Sequence, residues 1–157
     1  MQARYPLPLH HSWPLYERAR HFDLGWAQRT SVRVPGKAGA ETPEDAEAIA
    51  RLGVGVWHCD LATNRLSWTD TVYDLFGLPR GSDVARAAAV AQYCEGSRAA
   101  MERLRAHAIA HRRGFTLDVE IGPARAQTRW IRLIAAPVCE GDHVVALHGL
   151  KFPVPEG

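Results

Sequence analysis

Residues 54–69, VGVWHCDLATNRLSWT, predict a β-hairpin. The run from Val54 to Asp60 is rich in residues that strands favour, and Leu66-Ser67-Trp68 gives a second, shorter strand. Between them, Ala62-Thr63-Asn64-Arg65 predicts a tight turn, because asparagine tolerates a left-handed backbone conformation. The hairpin is therefore expected to form part of an antiparallel sheet.

The elements downstream of the hairpin complete an α+β pattern. Thr69 or Asp70 is expected to cap a short helix that ends at Gly77, and Ser97 to cap the longest helix, which Gly114 ends. Three strands are predicted after it, at 115–121, 127–138 and 144–152. This order predicts a five-stranded antiparallel sheet with helices on one face.

A linker precedes this domain. Residues 34–40 are small and unpatterned, so we predict an N-terminal arm and linker over 1–41 and one domain over 42–157. The arm is rich in aromatic residues and is predicted to be helical, with Ser12 as the N-cap and Gly25 as the end. It either covers apolar surface of the domain or forms a dimerisation or partner-binding helix.

Composition narrows the classes of function. The chain has 157 residues and a formal net charge of +2, from 19 Lys+Arg and 17 Asp+Glu. That balance lacks the basic excess of nucleic-acid or anionic-membrane binders, so neither partner is expected. No apolar run reaches the ~18 residues of a membrane-spanning helix. The three cysteines are far apart, which fits neither a disulfide framework nor a zinc motif and predicts a cytoplasmic protein.

Five short motifs, in this order and spacing, resemble the PAS sensory-domain family in its bacterial signalling branch. They are Gly55-Val56-Trp57-His58-Cys59-Asp60-Leu61-Ala62-Thr63-Asn64, Leu66-Ser67-Trp68-Thr69, Leu75-Phe76-Gly77-Leu78, Arg129-Trp130-Ile131 and Leu147-His148-Gly149. The resemblance covers about residues 43–155. It implies a PAS-like fold and a non-enzymatic, sensory role in signal transduction.

The resemblance also implies a small-molecule cavity between the inner face of the sheet and the long helix. The residues expected to line it are Tyr73, Phe76, Met101, Leu104, Ala108, His111 and Phe115. On a helical wheel, His111 falls within the apolar stripe of the long helix and His107 on its edge. Haem-binding PAS domains commonly take an axial histidine from this helix, so His107 and His111 are the candidate haem ligands. The alternative has no cofactor and no metal, with one histidine hydrogen-bonded in the core and the other solvated.

Cys94 is the cysteine whose position suggests chemistry. It precedes the N-terminus of the long helix, whose dipole is expected to lower the pKa of the thiol. Flavin photochemistry of the light-oxygen-voltage kind needs a Gly-x-Asn-Cys-Arg-Phe-Leu-Gln-like stretch, which Gln92-Tyr93-Cys94-Glu95-Gly96-Ser97 does not resemble. A redox or covalent-chromophore role is the alternative to an inert thiol there. Cys59 and Cys139 are expected to be small apolar residues of the core.

A small α+β enzyme is a further alternative. His58, Cys59 and Asp60 are adjacent, but successive side chains of a strand point to opposite faces. Cys59 is therefore expected to face away from the other two, and a nucleophile must reach its base. We accordingly expect no catalytic residues.

Interaction with partners is the function that the sequence favours. In PAS proteins the outer face of the sheet often pairs with another domain or a flanking helix, and the candidate interface residues are Trp13, Tyr16, Trp57 and Trp130. The alternative is that these rings pack within the domain. Pro153 and Pro155 cannot begin the helical connector that follows many PAS domains. The expected partners are a second copy, in a homodimer, or a signalling enzyme of the histidine kinase or diguanylate cyclase type.

Overall fold

The computed structural model describes residues 10–22, 48–122 and 127–154. A six-stranded antiparallel sheet forms its central layer. The strands are β1 (His10–Pro14), β2 (Gly55–Asp60), β3 (Arg65–Trp68), β4 (Arg113–Ile121), β5 (Arg129–Glu140) and β6 (His143–Pro153). They lie side by side in the order β1-β4-β5-β6-β2-β3. Three predictions fall outside the described residues: the linker over 34–40, the domain boundary between residues 41 and 42, and the helix end at Gly25.

Helices and one 3-10 turn connect the strands. The turn (Leu15–Glu17) leads into α1 (Arg18–His21), and the later helices are α2 (Asp70–Phe76), α3 (Arg86–Val90) and α4 (Glu95–His111). Residues 48–51 are also helical. As predicted, α2 ends at Gly77, which adopts the left-handed conformation. None of the helices in the described ranges is long and apolar enough to cross a membrane.

The predicted hairpin is confirmed as β2 and β3. Their register pairs Trp57 with Trp68, and Asn64 adopts the left-handed turn conformation with φ 58°. Thr69 follows β3, and its hydroxyl accepts a hydrogen bond from the backbone N–H of Val56 at 3.0 Å. This bond joins the start of α2 to β2.

The long helix α4 begins and ends earlier than predicted. Its N-cap residue is Cys94 and not Ser97, whose hydroxyl accepts a hydrogen bond from the backbone N–H of Glu120 in β4 at 2.8 Å. At its other end Arg112 ends the helix in the left-handed conformation, with φ 55°, and β4 begins at the next residue, so Gly114 lies within the strand.

The N-terminal arm supplies a sixth strand that the sequence did not predict. Residues 10–14 are a strand and not the predicted helix, and they pair with β4 from His10 opposite Leu117 to Pro14 opposite Arg113. Without β1, this edge of β4 would leave a row of backbone groups unpaired, so pairing outweighs the local helix preference. Ser12 also accepts a hydrogen bond from Arg113 Nε at 2.8 Å.

The inner face of the sheet carries the larger hydrophobic core. Helices α2 and α4 pack on this face, as predicted. Their buried side chains include Val72, Leu75, Phe76, Met101 and Ala108, which meet Phe115, Leu117, Val119, Ile131, Leu133 and Leu147 from the sheet. This α+β arrangement confirms the predicted fold class.

Residues 10–22, the described part of the N-terminal arm, pack on the outer face of the sheet. Trp13 is fully buried, and its Nε1 donates a hydrogen bond to Thr116 Oγ1 at 3.1 Å. A Cβ added at Gly114 would lie 2.2 Å from the Trp13 ring, so the indole approaches this closely only because the residue is glycine. Phe22 and Ile49 complete a second core with Ile134, Leu150 and Phe152. Covering apolar surface is thus one role of the arm.

Besides Thr116, two more polar side chains buried on the outer face have partners. Asp118 is 1% exposed and accepts hydrogen bonds from Arg132 Nε and Nη2 at 2.8 and 3.1 Å. His148 lies with its Nε2 3.4 Å from Arg18 Nη2 and its ring 5.2 Å from that of Phe22. Burial, followed by the Arg18 charge, lowers the pKa of His148 to about 4, so this imidazole is neutral near pH 7.

Candidate ligand cavity

A cavity of about 60 Å³ lies on the inner side of the sheet, next to α3 and α4. Most of its lining is apolar or aromatic: Trp57, Cys59, Leu66, Trp68, Ala89, Val90, Tyr93, Met101, Phe115, Leu133 and Leu147. Three cationic side chains complete it, namely Arg86, Arg105 and Lys151. An apolar wall with a few polar groups is typical of small-molecule sites.

Strand geometry places Lys151 inside this cavity. Side chains alternate between the faces of β6, so Leu147 and Lys151 lie on the inner face while His148 and Leu150 lie on the outer one. Lys151 is 6% exposed. Its long side chain brings an amine into a wall that is otherwise mostly hydrocarbon and aromatic.

Four aromatic rings surround the Lys151 amine. Nζ lies 4.8 Å from the ring centroid of Phe76, 5.3 Å from Trp57, and 5.7 Å from both Trp68 and Tyr93. Trp68 stacks on Phe76 with centroids 5.1 Å apart, and Phe76 lies 5.9 Å from Tyr93. These separations are in the range of cation–π interactions. We call Trp57, Trp68, Phe76 and Tyr93 the aromatic cage.

Burial shifts the pKa values of Lys151 and of Tyr93 in the aromatic cage. It lowers the pKa of Lys151 to about 7, because the charged amine loses its hydration, and the Cys59 thiol acts weakly in the opposite direction. Burial raises the pKa of the Tyr93 hydroxyl. Within the described ranges, no residue accepts a hydrogen bond from Lys151 Nζ. The amine therefore contacts the aromatic cage and the open space of the cavity.

Two arginines add positive charge at the partly exposed side of the cavity. Arg86 donates a hydrogen bond to Glu102 in an ion pair. Arg105 is half-buried and has no ion-pair or hydrogen-bond partner in the part of the chain that the structure describes. Since Glu102 is already paired, the cavity presents more positive than negative charge to a ligand.

The structure brings some of the seven predicted pocket residues to this site. Met101 and Phe115 line the cavity, and Phe76 belongs to the aromatic cage. The remaining four do not line it: Tyr73, Leu104, Ala108 and His111. Tyr73 instead packs against Trp68 and donates a hydrogen bond from its hydroxyl to the Ser82 carbonyl at 2.8 Å. Leu104 and Ala108 pack into the core beside the cavity.

Both candidate haem ligands lie in solvent. His107 and His111 are exposed, with their ring centroids 4.4 Å apart, and neither lines the cavity. The helical wheel placed His111 in the apolar stripe, but the last two residues of α4, 110 and 111, are exposed. An axial ligand must face the haem, so the haem prediction has no support from the geometry. Among the described residues no cluster of His, Cys, Asp or Glu could hold a metal ion.

The prediction for the thiol of Cys94 is wrong. Its pKa is raised, first by burial and then by the Glu120 carboxylate, while Arg98 acts in the opposite direction. The burial and the acid outweigh the dipole of α4. Cys59 is buried and Cys139 half-buried, and all three thiols are free.

The strand alternation predicted for the sequence His58-Cys59-Asp60 is confirmed. Cys59 is buried on the inner face and lines the cavity, whereas His58 and Asp60 are half-buried on the opposite face of β2. The three side chains do not converge, so they do not form a catalytic triad.

The four candidate interface residues lie in different surroundings. Trp13 is fully buried under the arm, and Trp57 is 7% exposed in the aromatic cage, so both rings already pack within the chain. Tyr16 is 86% exposed. Trp130 is half-buried and lines a groove at the edge of β4, together with Cys94 and Ser97.

Sequence reasoning missed Lys151 as a cavity residue. Its spacing of four from Leu147 places both residues on one face of a strand, which is the signal that could have found it. The other face of the same strand carries Leu150 and Phe152, which are equally apolar. Because both faces of β6 are buried, alternation alone does not tell which one faces the helices.

Similar solved structures identify this α+β arrangement as the PAS fold. The chain is similar to the N-terminal domain of a diguanylate cyclase with PAS/PAC sensor from Marinobacter aquaeolei, at 17% identity over 64% of this chain and 94% of that one, with a TM-score of 0.58. It is also similar to a sensory box histidine kinase/response regulator from Burkholderia thailandensis E264, at 14% identity over 69% and 82%, with a TM-score of 0.58.

A third similar structure belongs to an RNA-binding light-oxygen-voltage receptor, at 18% identity and a TM-score of 0.57. The match covers 66% of this chain and spans only 31% of that receptor. No family model and no curated protein matches the chain. The comparisons therefore show the fold.

Proposed function

We propose that this chain is a PAS-type sensory module of bacterial signal transduction, which binds a small ligand in the cavity and passes the signal to a histidine kinase or a diguanylate cyclase. The observation that supports this best is the cavity itself, whose wall is mostly apolar and encloses one amine. The class of partner is an analogy at the level of the fold, supported by the similar domains from a cyclase and a kinase.

The proposed role is non-enzymatic and cytoplasmic. Lys151 is a nucleophile type, but no acid or base among the described residues is hydrogen-bonded to it. The cavity is accordingly better suited to binding than to catalysis. A reducing compartment is consistent with the three free thiols.

The proposal includes a homodimer formed through the exposed side of the arm. Tyr16 is the large hydrophobic residue most exposed there, and tyrosine is enriched in interfaces. Native mass spectrometry of the full chain is expected to show a dimer that Tyr16→Ala weakens. A protein that is monomeric at every concentration would contradict this part of the proposal.

Partner enzymes provide the test of the sensory role. The purified full chain is mixed with purified histidine kinases and diguanylate cyclases of its own organism, and autophosphorylation and cyclic dinucleotide formation are measured. We expect the rate of at least one enzyme to change, with the change removed by filling the cavity through Ala89→Trp. Unchanged rates with every enzyme would refute the proposal, and the exposed substitution Arg103→Gln is the control for non-specific effects.

A further inference from the structure

The cavity contains a cation that no described residue neutralises. Four polar side chains are buried in the described part of the chain, and three of them, Thr116, Asp118 and His148, have side-chain hydrogen-bond partners. Lys151 has only aromatic rings around its Nζ. The amine lines the open space of the cavity, where an acceptor from outside the chain can reach it and would stabilise its charged form.

The other charges around the cavity favour an anion. Arg86 and Arg105 line the same cavity as Lys151, and among residues 10–22, 48–122 and 127–154 the one acid paired with any of these three cations is Glu102, which is bound to Arg86. Arg105 keeps a free guanidinium with respect to all described residues. An approaching anion meets three cations and one carboxylate, whereas a second cation would be repelled by the amine that already occupies the aromatic cage.

The size and wall of the cavity limit the ligand further. The cavity offers about 60 Å³ to the centres of water-sized molecules, several times the ~10–15 Å³ that a single water needs. Such a space holds a small charged group with a short tail. The wall of the cavity also includes Met101, Phe115 and Leu133, which are apolar and therefore suit a hydrocarbon tail.

We propose that this cavity binds a short-chain monocarboxylate, whose carboxylate accepts a hydrogen bond from Lys151 Nζ and whose alkyl tail lies against the apolar wall. This inference rests on the proposed sensory function, because it names the class of ligand that the module detects. Lys151 is the ligand-binding residue, and Arg105 attracts the anion from a more exposed position.

The test uses propionate as the probe and the full chain labelled with ¹⁵N. Propionamide has nearly the same shape without the charge, and propylamine has the opposite charge. The indole N–H signals of Trp57 and Trp68 report on the cavity, because both rings line it. We expect propionate to shift these two signals in a saturable manner, and propionamide and propylamine to bind at least about tenfold more weakly.

Two substitutions locate the binding group. Lys151→Met removes the amine but retains a long apolar side chain, and it is expected to weaken propionate binding by about 10- to 100-fold. Arg105→Gln is expected to weaken binding less. Arg103→Gln removes a cation from an exposed position of the same helix and is expected to leave the affinity unchanged. The melting temperature of each variant verifies that it is folded.

Two outcomes would overturn the inference. One is equal binding of propionate and propionamide, and the other is unchanged propionate affinity in the folded Lys151→Met variant. The sensory proposal is tested separately by the rates of the partner enzymes. A partner response without propionate binding would therefore refute the ligand class and leave the sensory role in place.

Discussion

At the scale of single residues, Lys151 is the feature that requires an explanation. A buried lysine amine lowers stability, since the folded state removes most of the hydration of the charge. The aromatic cage offsets part of this cost through cation–π attraction, and Cys59 contributes little. A side chain that opposes folding in this way is expected where it serves a function, here the binding of an anion.

Replacing this lysine is expected to stabilise the protein. Lys151→Met should raise the free energy of unfolding at about pH 6 by on the order of 3–5 kcal/mol, because it removes the cost of burying the charge and retains the packing. Urea denaturation of the variant and the wild type measures this difference. Arg103→Met, on the exposed face of α4, is the matched control and should change stability little.

The stabilisation by Lys151→Met is expected to depend on pH. Below the folded pKa of about 7, Lys151 is protonated in both the folded and the unfolded chain, so the full free-energy cost of burying the charged amine is present. Between that pKa and the unfolded value of 10.5, only the unfolded chain holds the proton, so the stability of the wild type rises with pH and the advantage of Lys151→Met shrinks. An advantage that is the same at about pH 6 and about pH 10 would contradict the burial of the charged amine.

At the scale of secondary-structure elements, β1 decides how the outer face of the sheet is covered. It pairs with the edge of β4 and carries Trp13 onto the sheet, where the indole hydrogen-bonds to Thr116. The short segment after it returns over the same face and buries Phe22 beside His148. The arm thus removes an open sheet edge and an apolar surface together.

Truncation of Trp13 tests this covering role. Trp13→Ala is expected to lower the free energy of unfolding by about 3–5 kcal/mol, because it removes a fully buried ring. Tyr16→Ala is the control, since this neighbouring aromatic residue is 86% exposed, and it should change the unfolding of the monomer little. Equal effects of the two substitutions in thermal denaturation would show that the arm does not dock as described.

Gly114 provides a second test of the same contact. Gly114→Ala adds a Cβ 2.2 Å from the Trp13 ring, so it is expected to displace β1 and to increase hydrogen exchange in residues 10–14. Gly96→Ala in α4 has no heavy atom within 4 Å of the new Cβ and should leave exchange unchanged. Unaltered protection of β1 in Gly114→Ala would refute the close packing.

The sequence was sufficient for the elements whose local signals agree with the fold. The turn at Asn64, the helix end at Gly77 and the alternation around Cys59 are all found where they were predicted. Strand β1 was missed because its pairing with β4 is a long-range interaction, whereas Ser12 and Pro14 locally favour a helix start. His111 was misplaced because a helical wheel does not show where the packed face ends.

At the scale of the whole molecule, the two faces of one sheet have different tasks. The outer face is packed under residues 10–22, and the buried Thr116, Asp118 and His148 on it have side-chain partners within the chain. The inner face encloses a cavity with an amine that has no hydrogen-bond partner in the described chain. A ligand that supplies the missing acceptor would bind Lys151 on β6. Through the aromatic cage it would also be coupled to Trp57 on β2 and Phe76 on α2. A sensory module needs such coupling between its ligand and its secondary-structure elements.

The titration of Lys151 tests this account most directly. The chain contains two lysines, Lys37 and Lys151, so ¹³C labelling of lysine gives two Cε signals, which Lys37→Arg assigns. NMR spectra recorded against pH should show Lys151 titrating near its lowered pKa of about 7, and propionate should move this midpoint upward by stabilising the ammonium form. A Lys151 signal that titrates at the ordinary lysine pKa of 10.5, and that propionate leaves unchanged, would contradict both the buried amine and its role in binding a ligand.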